Sequence, residues 1–303
     1  MNDATDALSG SPSSPGNRRP AVIDGRAAAP GGAMADAEFD FLARLVHGRT
    51  GIMVRPEKRQ MLCSRLERRV RALRLSGFAA YCDHLESDLG AAEIEELVNA
   101  VTTNLTHFFR EKHHFDHLAK HALPAVRRRL EAERSRRLRI WSAGCSTGQE
   151  PYSIAMTMLA HGSEIAKWDA RILASDVDSS VVEHASAGRY PADQADGIPE
   201  TYRKRFTRRL RDGALEMAEE LKRHIAFKPL NLIEPWPVKG PFQIIFCRNV
   251  VIYFDKPTQA VLFDRFAELM PIGGWLYIGH SESLFKVTDR FRLIGSTIYQ
   301  KVA

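Results

Sequence analysis

The chain has 303 residues, 44% of them hydrophobic and 26% charged, which is enough for one large domain or two ordinary ones with a sizeable core. No apolar run approaches the roughly 20 residues a membrane helix needs, and the opening MNDATDALSGSPSSPGNRRP lacks the apolar stretch of a signal peptide. A formal net charge of +6 leaves nucleic acid, an anionic membrane face or an acidic protein open as partner.

Residues 1–36 are rich in Ala, Gly, Ser, Pro and Asp, with almost no large apolar side chain to offset chain entropy, and are expected to form a disordered tail. From Phe39 the pattern turns helical, with Phe39, Leu42, Leu45 and Val46 at helical spacing up to Gly48. A second helix is predicted over about 57–75, with Leu62, Leu66, Val70 and Leu73 on one stripe. Lys58, Arg65, Arg68 and Arg69 lie on an arc of roughly 100° beside it. Segments around 77–89 and 91–101 complete an all-helical domain over 37–110. A further helix starting near residue 111 and ending in the basic RRRLEAERSRR reads as a solvated linker spanning 111–137.

From residue 138 to 303 strands and helices alternate: RIWSAG, PYSIAMTMLAHG, RILASDVD and VVEHASAG predict strand, helix, strand, helix, the signature of a parallel sheet with crossover helices. IAFKPLNL and PFQIIFCRNV continue the sheet, a helix over about 257–269 starts behind a capping Asp255, and GGWLYIGH and STIYQKV supply the last two strands. The polar stretch 190–224 fits neither period and is expected to be an inserted subdomain. Cys63, Cys82, Cys145 and Cys247 sit far apart without a C-x-x-C pair, which argues against a disulfide framework and a zinc site and favours a cytoplasmic protein with reduced thiols.

In an open α/β sheet ligands bind outside the carboxyl ends of the strands. The first such end carries Gly144-Cys-Ser-Thr-Gly148-Gln-Glu150, where glycines let the backbone turn and approach a ligand beside a helix N-terminus. It is neither G-x-G-x-x-G nor a P-loop, so phosphate binding is not favoured. The second carries Asp176 and Asp178, where a carboxylate can accept both hydroxyls of a ribose. The pair suggests a nucleoside cofactor without a required pyrophosphate; a tight turn and two helix caps are the plain alternative.

The strings TTNLTHFFRE, WSAGCSTGQEPYSIAM, ASDVDSSVVEHASAGRY, FCRNVVIYFDKPTQ and GGWLYIGHSESL, in this order over about 37–303, resemble the chemotaxis receptor methyltransferases, the CheR family. The resemblance implies a Rossmann-like class I methyltransferase domain dependent on S-adenosylmethionine, with a mostly parallel sheet. A small all-helical domain would precede it and a β-subdomain would be inserted. It further implies methyl transfer to glutamate side chains of chemoreceptors, giving glutamyl methyl esters and S-adenosylhomocysteine, by a cytoplasmic monomer that neither binds nucleic acid nor inserts into a membrane. Carried over by motif, cofactor contacts fall on Asn104, Thr106, Arg110, Gly144, Glu150, Asp176, Asn231, Leu232, Arg248 and Asn249, and catalytic roles on Arg110 and Tyr253. The family's E-E is Gln149-Glu150 in this chain, and the second acid is taken as the functional one. Lys58, Arg65, Arg68 and Arg69 resemble the cationic helix that faces the acidic receptor bundle. The insertion matches in position a subdomain that in some members docks a peptide from the receptor's C-terminus.

The chemistry is consistent with that assignment. A carboxylate is already ionised at neutral pH, so methyl transfer to it needs alignment rather than a general base, a metal or a covalent intermediate. His113, His114 and His280 show no cluster at ligand spacing in sequence, so no metal is expected, and Cys145 reads as a small apolar filler. A nucleic-acid methyltransferase and a non-catalytic binding module are the competing readings. The first lacks an N-P-P-Y-type motif and aromatics among the basic residues, and the second sits poorly with a full set of site positions.

Overall fold

The computed structural model describes residues 33–162 and 164–303, so the expected tail lies outside the described residues up to position 32. Its last residues already belong to the helical domain, where Met34 is buried. That domain comprises α1 (Asp36–Thr50), α2 (Arg59–Ala72), α3 (Phe78–Glu86) and α4 (Ala91–Val101) around a core of Phe39, Leu42, Leu62, Leu66, Tyr81 and Leu97. The basic arc of α2 divides in two. Arg69 is spent on Glu93, donating through Nε (3.0 Å) and Nη2 (2.6 Å), with Glu96 at 3.3 Å, while Arg65 donates to the carbonyls of Ala100 and Thr102. The expectation that all four cations face a partner is therefore corrected: Arg65 and Arg69 hold α2 to α4, and Lys58 and Arg68 remain exposed.

The segment expected as a solvated linker is a structural helix. α5 (Lys112–His117) runs through a π-helical turn at Leu118–Ala122 into α6 (Leu123–Ala132). The turn ends two residues before Pro124, which has no N–H for the usual i→i−4 bond. Phe115, Leu118, Leu123, Val126 and Leu130 are buried against the sheet, while the opposite face, with Lys112, Asp116 and Lys120, and the basic end are exposed.

The α/β domain contains β1 (Arg137–Ala143), α7 (Gln149–His161), β2 (Asp169–Asp176) and α8 (Ser179–Ala187), followed by the insertion. The insertion is made of β3 (Arg189–Tyr190), α9 (Glu200–Phe206), β4 (Thr207–Arg209), β5 (Leu215–Met217) and α10 (Glu219–Lys222). Its strands form a small antiparallel sheet in the order β3-β5-β4, anchored through Tyr190, Phe206 and Met217 to the main core. The chain then completes the large sheet with β6 (Ile225–Pro229), β7 (Ile244–Cys247), α11 (Lys256–Glu268), β8 (Trp275–Ile278), β9 (Phe291–Gly295) and β10 (Ile298–Lys301).

The large sheet has the order β6-β2-β1-β7-β8-β10-β9, parallel from β6 to β8, with β10 antiparallel to both its neighbours. Successive residues of the central strands serve opposite faces. Ile140, Ile244 and Phe246 pack under α5, α6 and α7, and Trp141, Ile245 and Leu276 pack under α11. Burial on both faces is why these strands read as unbroken apolar runs. The order reverses between β1 and β7, which places a crevice at their carboxyl ends.

Candidate functional site

That crevice is a cavity of about 480 Å³ between the helical domain and the sheet. Its walls include Asn104, Thr106, Arg110, Gly144, Glu150, Asp176, Asn231, Leu232, Arg248, Asn249 and Tyr253, along with Lys58 at its entrance side; Arg65, Arg68 and Arg69 are not among the lining residues.

Gly144 ends β1 with φ 85°, and a Cβ there would lie 2.2 Å from Val250 Cγ2, so only glycine lets the loop pass so close to the neighbouring wall. The loop is pinned by Ser146 N–H donating to Asp176 Oδ2 (2.8 Å), and Asp178 N–H donates to Asp176 Oδ1 (3.1 Å). Burial pushes the Asp176 carboxyl up to about 6, against those two N–H donors, which favour the ionised form. Asp176 is thus an acceptor partly open to the cavity, beside the Gly144 turn.

Asp178 ties the two domains together. Its Oδ1 accepts from the N–H groups of Ser180 (3.0 Å) and Val181 (3.3 Å), capping α8, and its Oδ2 accepts from Thr102 Oγ1 (2.7 Å) and Asn104 Nδ2 (2.8 Å). The Asn104 carbonyl in turn accepts from Ser146 Oγ (3.0 Å), so the 102–110 crossing segment is laid directly on the β1 loop.

Deeper in the site, Arg248 is a buried cation between two carboxylates. It donates to Glu150 Oε2 (3.1 Å), lies 3.4 Å from Glu111 Oε2 and donates to the Arg110 carbonyl. Burial raises the Glu150 carboxyl above its usual range, opposed by Arg248 and by the Ser142 hydroxyl at 2.7 Å. Burial acts on Glu111 in the same direction, but Arg248, His280 and His114 outweigh it and hold that carboxyl at about 2. His280 donates to Glu111 Oε1 through Nδ1 (2.9 Å). His114, pushed down to about 3 by burial first and by Arg248 and His113 next, is neutral at physiological pH.

Glu111, His113 and His114 bring ligand-type atoms within 4.8 Å of one another, so the expectation of no such cluster around these histidines is corrected. The chain supplies its own cation at that point, because Arg248 faces the same Glu111 oxygen.

Glu282 organises the opposite wall. Its Oε2 accepts from Asn249 N–H (2.9 Å) and Gly279 N–H, and its Oε1 from Val251 N–H (2.9 Å) and Ile252 N–H (3.4 Å). This carboxylate fixes the turn from Asn249 (φ 59°) to Tyr253, whose carbonyl accepts from Met53 N–H (2.9 Å). Asn231 is occupied locally: its Nδ2 donates to the Arg49 carbonyl and to Glu234, and its Oδ1 accepts from Ile233 N–H. Glu111, Asp178 and Glu282 all lie inside the motif strings, yet their roles as acceptors for distant backbone and side-chain donors leave no spacing signal in the sequence.

The all-alpha domain of CheR methyltransferases matches residues 37–102, and the SAM-binding domain of CheR methyltransferases matches residues 104–300. The chain belongs to the CheR methyltransferase family. A probable chemotaxis protein methyltransferase of Rhizobium etli is 43% identical over 260 residues, covering 84% of this chain and 96% of the relative. The chemotaxis protein methyltransferase of Escherichia coli is 42% identical over 272 residues, covering 88% and 91%. Chemotaxis protein methyltransferase 2 of Pseudomonas aeruginosa is 42% identical over 268 residues, covering 86% and 92%. This CheR-family chain is thus an S-adenosylmethionine-dependent methyltransferase of chemotaxis, with the class I fold described above. No helix among the described residues is long and apolar enough to cross a membrane. The matched SAM-binding domain takes in α5 and α6, in keeping with their packing against the sheet.

Proposed function

We propose that the protein methylates glutamate side chains of chemoreceptors in the cytoplasm, forming glutamyl methyl esters on the receptors' helical bundle. The observation that carries this reading is the shared cavity: Arg110 and Tyr253 line the same space as Asp176, Glu150 and Arg248, while Arg55 and Lys58 line it from the helical domain and are exposed.

In this reading Asp176 accepts the ribose hydroxyls of the cofactor, with Asn104, Thr106, Gly144, Asn231, Leu232 and Asn249 shaping the rest of its site and the Glu150–Arg248 pair setting the charge beside it. When bound, S-adenosylmethionine would supply a methyl group on a sulfonium centre, open to in-line attack by an ionised carboxylate oxygen, the ester C–O bond forming as the C–S bond breaks and S-adenosylhomocysteine leaves. Arg110 spends Nη1 on the Leu105 carbonyl (2.9 Å), which leaves its remaining donors to orient one oxygen of the incoming carboxylate without clamping both. Tyr253, fixed through its backbone, can donate a hydrogen bond to the other. Holding the reactants in near-attack geometry in a site shielded from water supplies several kcal/mol of the barrier without a general base. Lys58 and Arg68, the exposed members of the basic arc, steer an acidic bundle toward the mouth.

The test is methyl transfer from tritiated S-adenosylmethionine to receptor membranes. Base-labile label is expected, and Arg110→Ala should abolish it while folding is retained. Label that survives mild base would overturn the carboxyl-ester reading.

A further inference from the structure

Scattered exposed apolar side chains are ordinary on a protein surface, but three from separate segments converge on one cavity in this chain. Met53 (46% exposed) follows α1, Leu105 (81%) lies in the crossing segment, and Ile252 (42%) lies in the turn held by Glu282; all three line the cavity. Arg55, Lys58 and Arg110 line the same space. The acids that line it, Glu150 and Asp176, are turned inward, Glu150 to Arg248 and Asp176 to the β1 loop. Among the described residues that line it, the cavity therefore offers apolar contact and positive charge, and its two acids are already engaged by the protein.

We propose that Met53, Leu105 and Ile252 form an apolar collar that selects which glutamate of a receptor helix enters: one whose helical neighbours at i±3 and i±4 are apolar rather than charged. The inference rests on the receptor reading above. On a helix those neighbours stand roughly 5–6 Å from the projecting side chain and on its own face. When the glutamate reaches into the cavity, they are the groups pressed onto whatever surrounds the mouth. Apolar neighbours bury Leu105 and its two companions and exclude water from the carboxylate, whereas a charged neighbour pressed onto those three side chains would lose water against apolar surface. The flanking cations meet acids farther along the same helix. The collar thus supplies discrimination among glutamates that charge alone would attract equally.

The test uses the full-length enzyme and a receptor cytoplasmic fragment that it methylates. Leu105→Asn is expected to raise the KM for the fragment about tenfold, the loss of one well-buried leucine contact, with the affinity for S-adenosylhomocysteine measured by calorimetry within twofold of the parent. Met53→Gln and Ile252→Thr should act in the same direction. A fragment with one apolar i+4 neighbour changed to Asp should be a poor substrate for the parent enzyme, and Leu105→Asn should narrow the difference between the two fragments. An unchanged KM with all three variants would overturn the collar, as would a fall in S-adenosylhomocysteine affinity that matches the KM effect, which would place Leu105 in the cofactor site. Absence of base-labile label from the parent enzyme would instead overturn the receptor reading itself.

Discussion

Arg248→Met isolates the charge balance of the site. The Arg248 side chain is 2% exposed, and Glu111 and Glu150 beside it are each 11% exposed. Methionine fills similar space but strands two carboxylates, and breaking a buried pair from one side costs roughly 3–5 kcal/mol. The pH dependence follows from the directions at each acid. In the parent, Glu111 is held at about 2, below its ordinary value near 4.5, so its contribution is complete above pH 4.5 and is lost as pH falls toward 2. In the variant the Arg248 charge is gone, and burial, which raises both carboxyls, is opposed by His280 and His114 at Glu111 and by the Ser142 hydroxyl at Glu150, so the variant is penalised most at high pH and relieved as protons bind. Equilibrium urea unfolding should show a deficit of about 4 kcal/mol at pH 8 that narrows by pH 5. A deficit below about 1 kcal/mol, or one that stays constant over that range, would refute the idea that Arg248 compensates both acids.

Asp176, raised to about 6 by burial, should impose a pH profile on the cofactor: affinity for S-adenosylhomocysteine flat above pH 7 and falling up to tenfold per unit below 6, with Asp176→Asn weaker and flat, measured by calorimetry. Glu282→Gln turns an acceptor of four backbone N–H groups into a group with one acceptor oxygen and a misplaced donor. A stability loss of about 2 kcal/mol and faster amide exchange over residues 249–253 are expected, and unchanged exchange there would count against its bracing role. Lys58→Glu with Arg68→Glu should leave stability within about 0.5 kcal/mol and raise the receptor KM most at low salt. Arg69→Met should instead destabilise the helical domain by about 3 kcal/mol, because it strands Glu93; equal melting behaviour of the two variants would contradict this division of the basic arc.

The sequence carried the parallel sheet well, because strands buried on both faces write themselves as apolar runs that alternate with helix-length segments. It carried β9 poorly: Phe291 is its one fully buried residue, and the strand reads as surface. The run Val250–Phe254 has strand composition, yet Val251–Tyr253 forms a 3-10 turn whose apolar residues serve the cavity wall. The basic end of α6 masked a helix whose other face packs on the sheet, because charge at one terminus dominates a reading by composition. Site residues at strand ends were legible as motifs. Which cations of α2 are free was not, since that depends on Glu93 and on two carbonyls at the end of α4, contacts that helix periodicity does not encode.

Asp178 spans the boundary between the helical domain and the sheet, with one oxygen on the α8 N-terminus and the other on Thr102 and Asn104, at the rim of the cofactor space. Occupancy of that space and seating of the helical domain are therefore reciprocal: a ligand that favours the docked arrangement is itself held more tightly by it. In the proposed function, a receptor helix against the first domain and a cofactor in the second would be coupled through this carboxylate together with the Ser146–Asn104, Met53–Tyr253 and Asn231–Arg49 contacts.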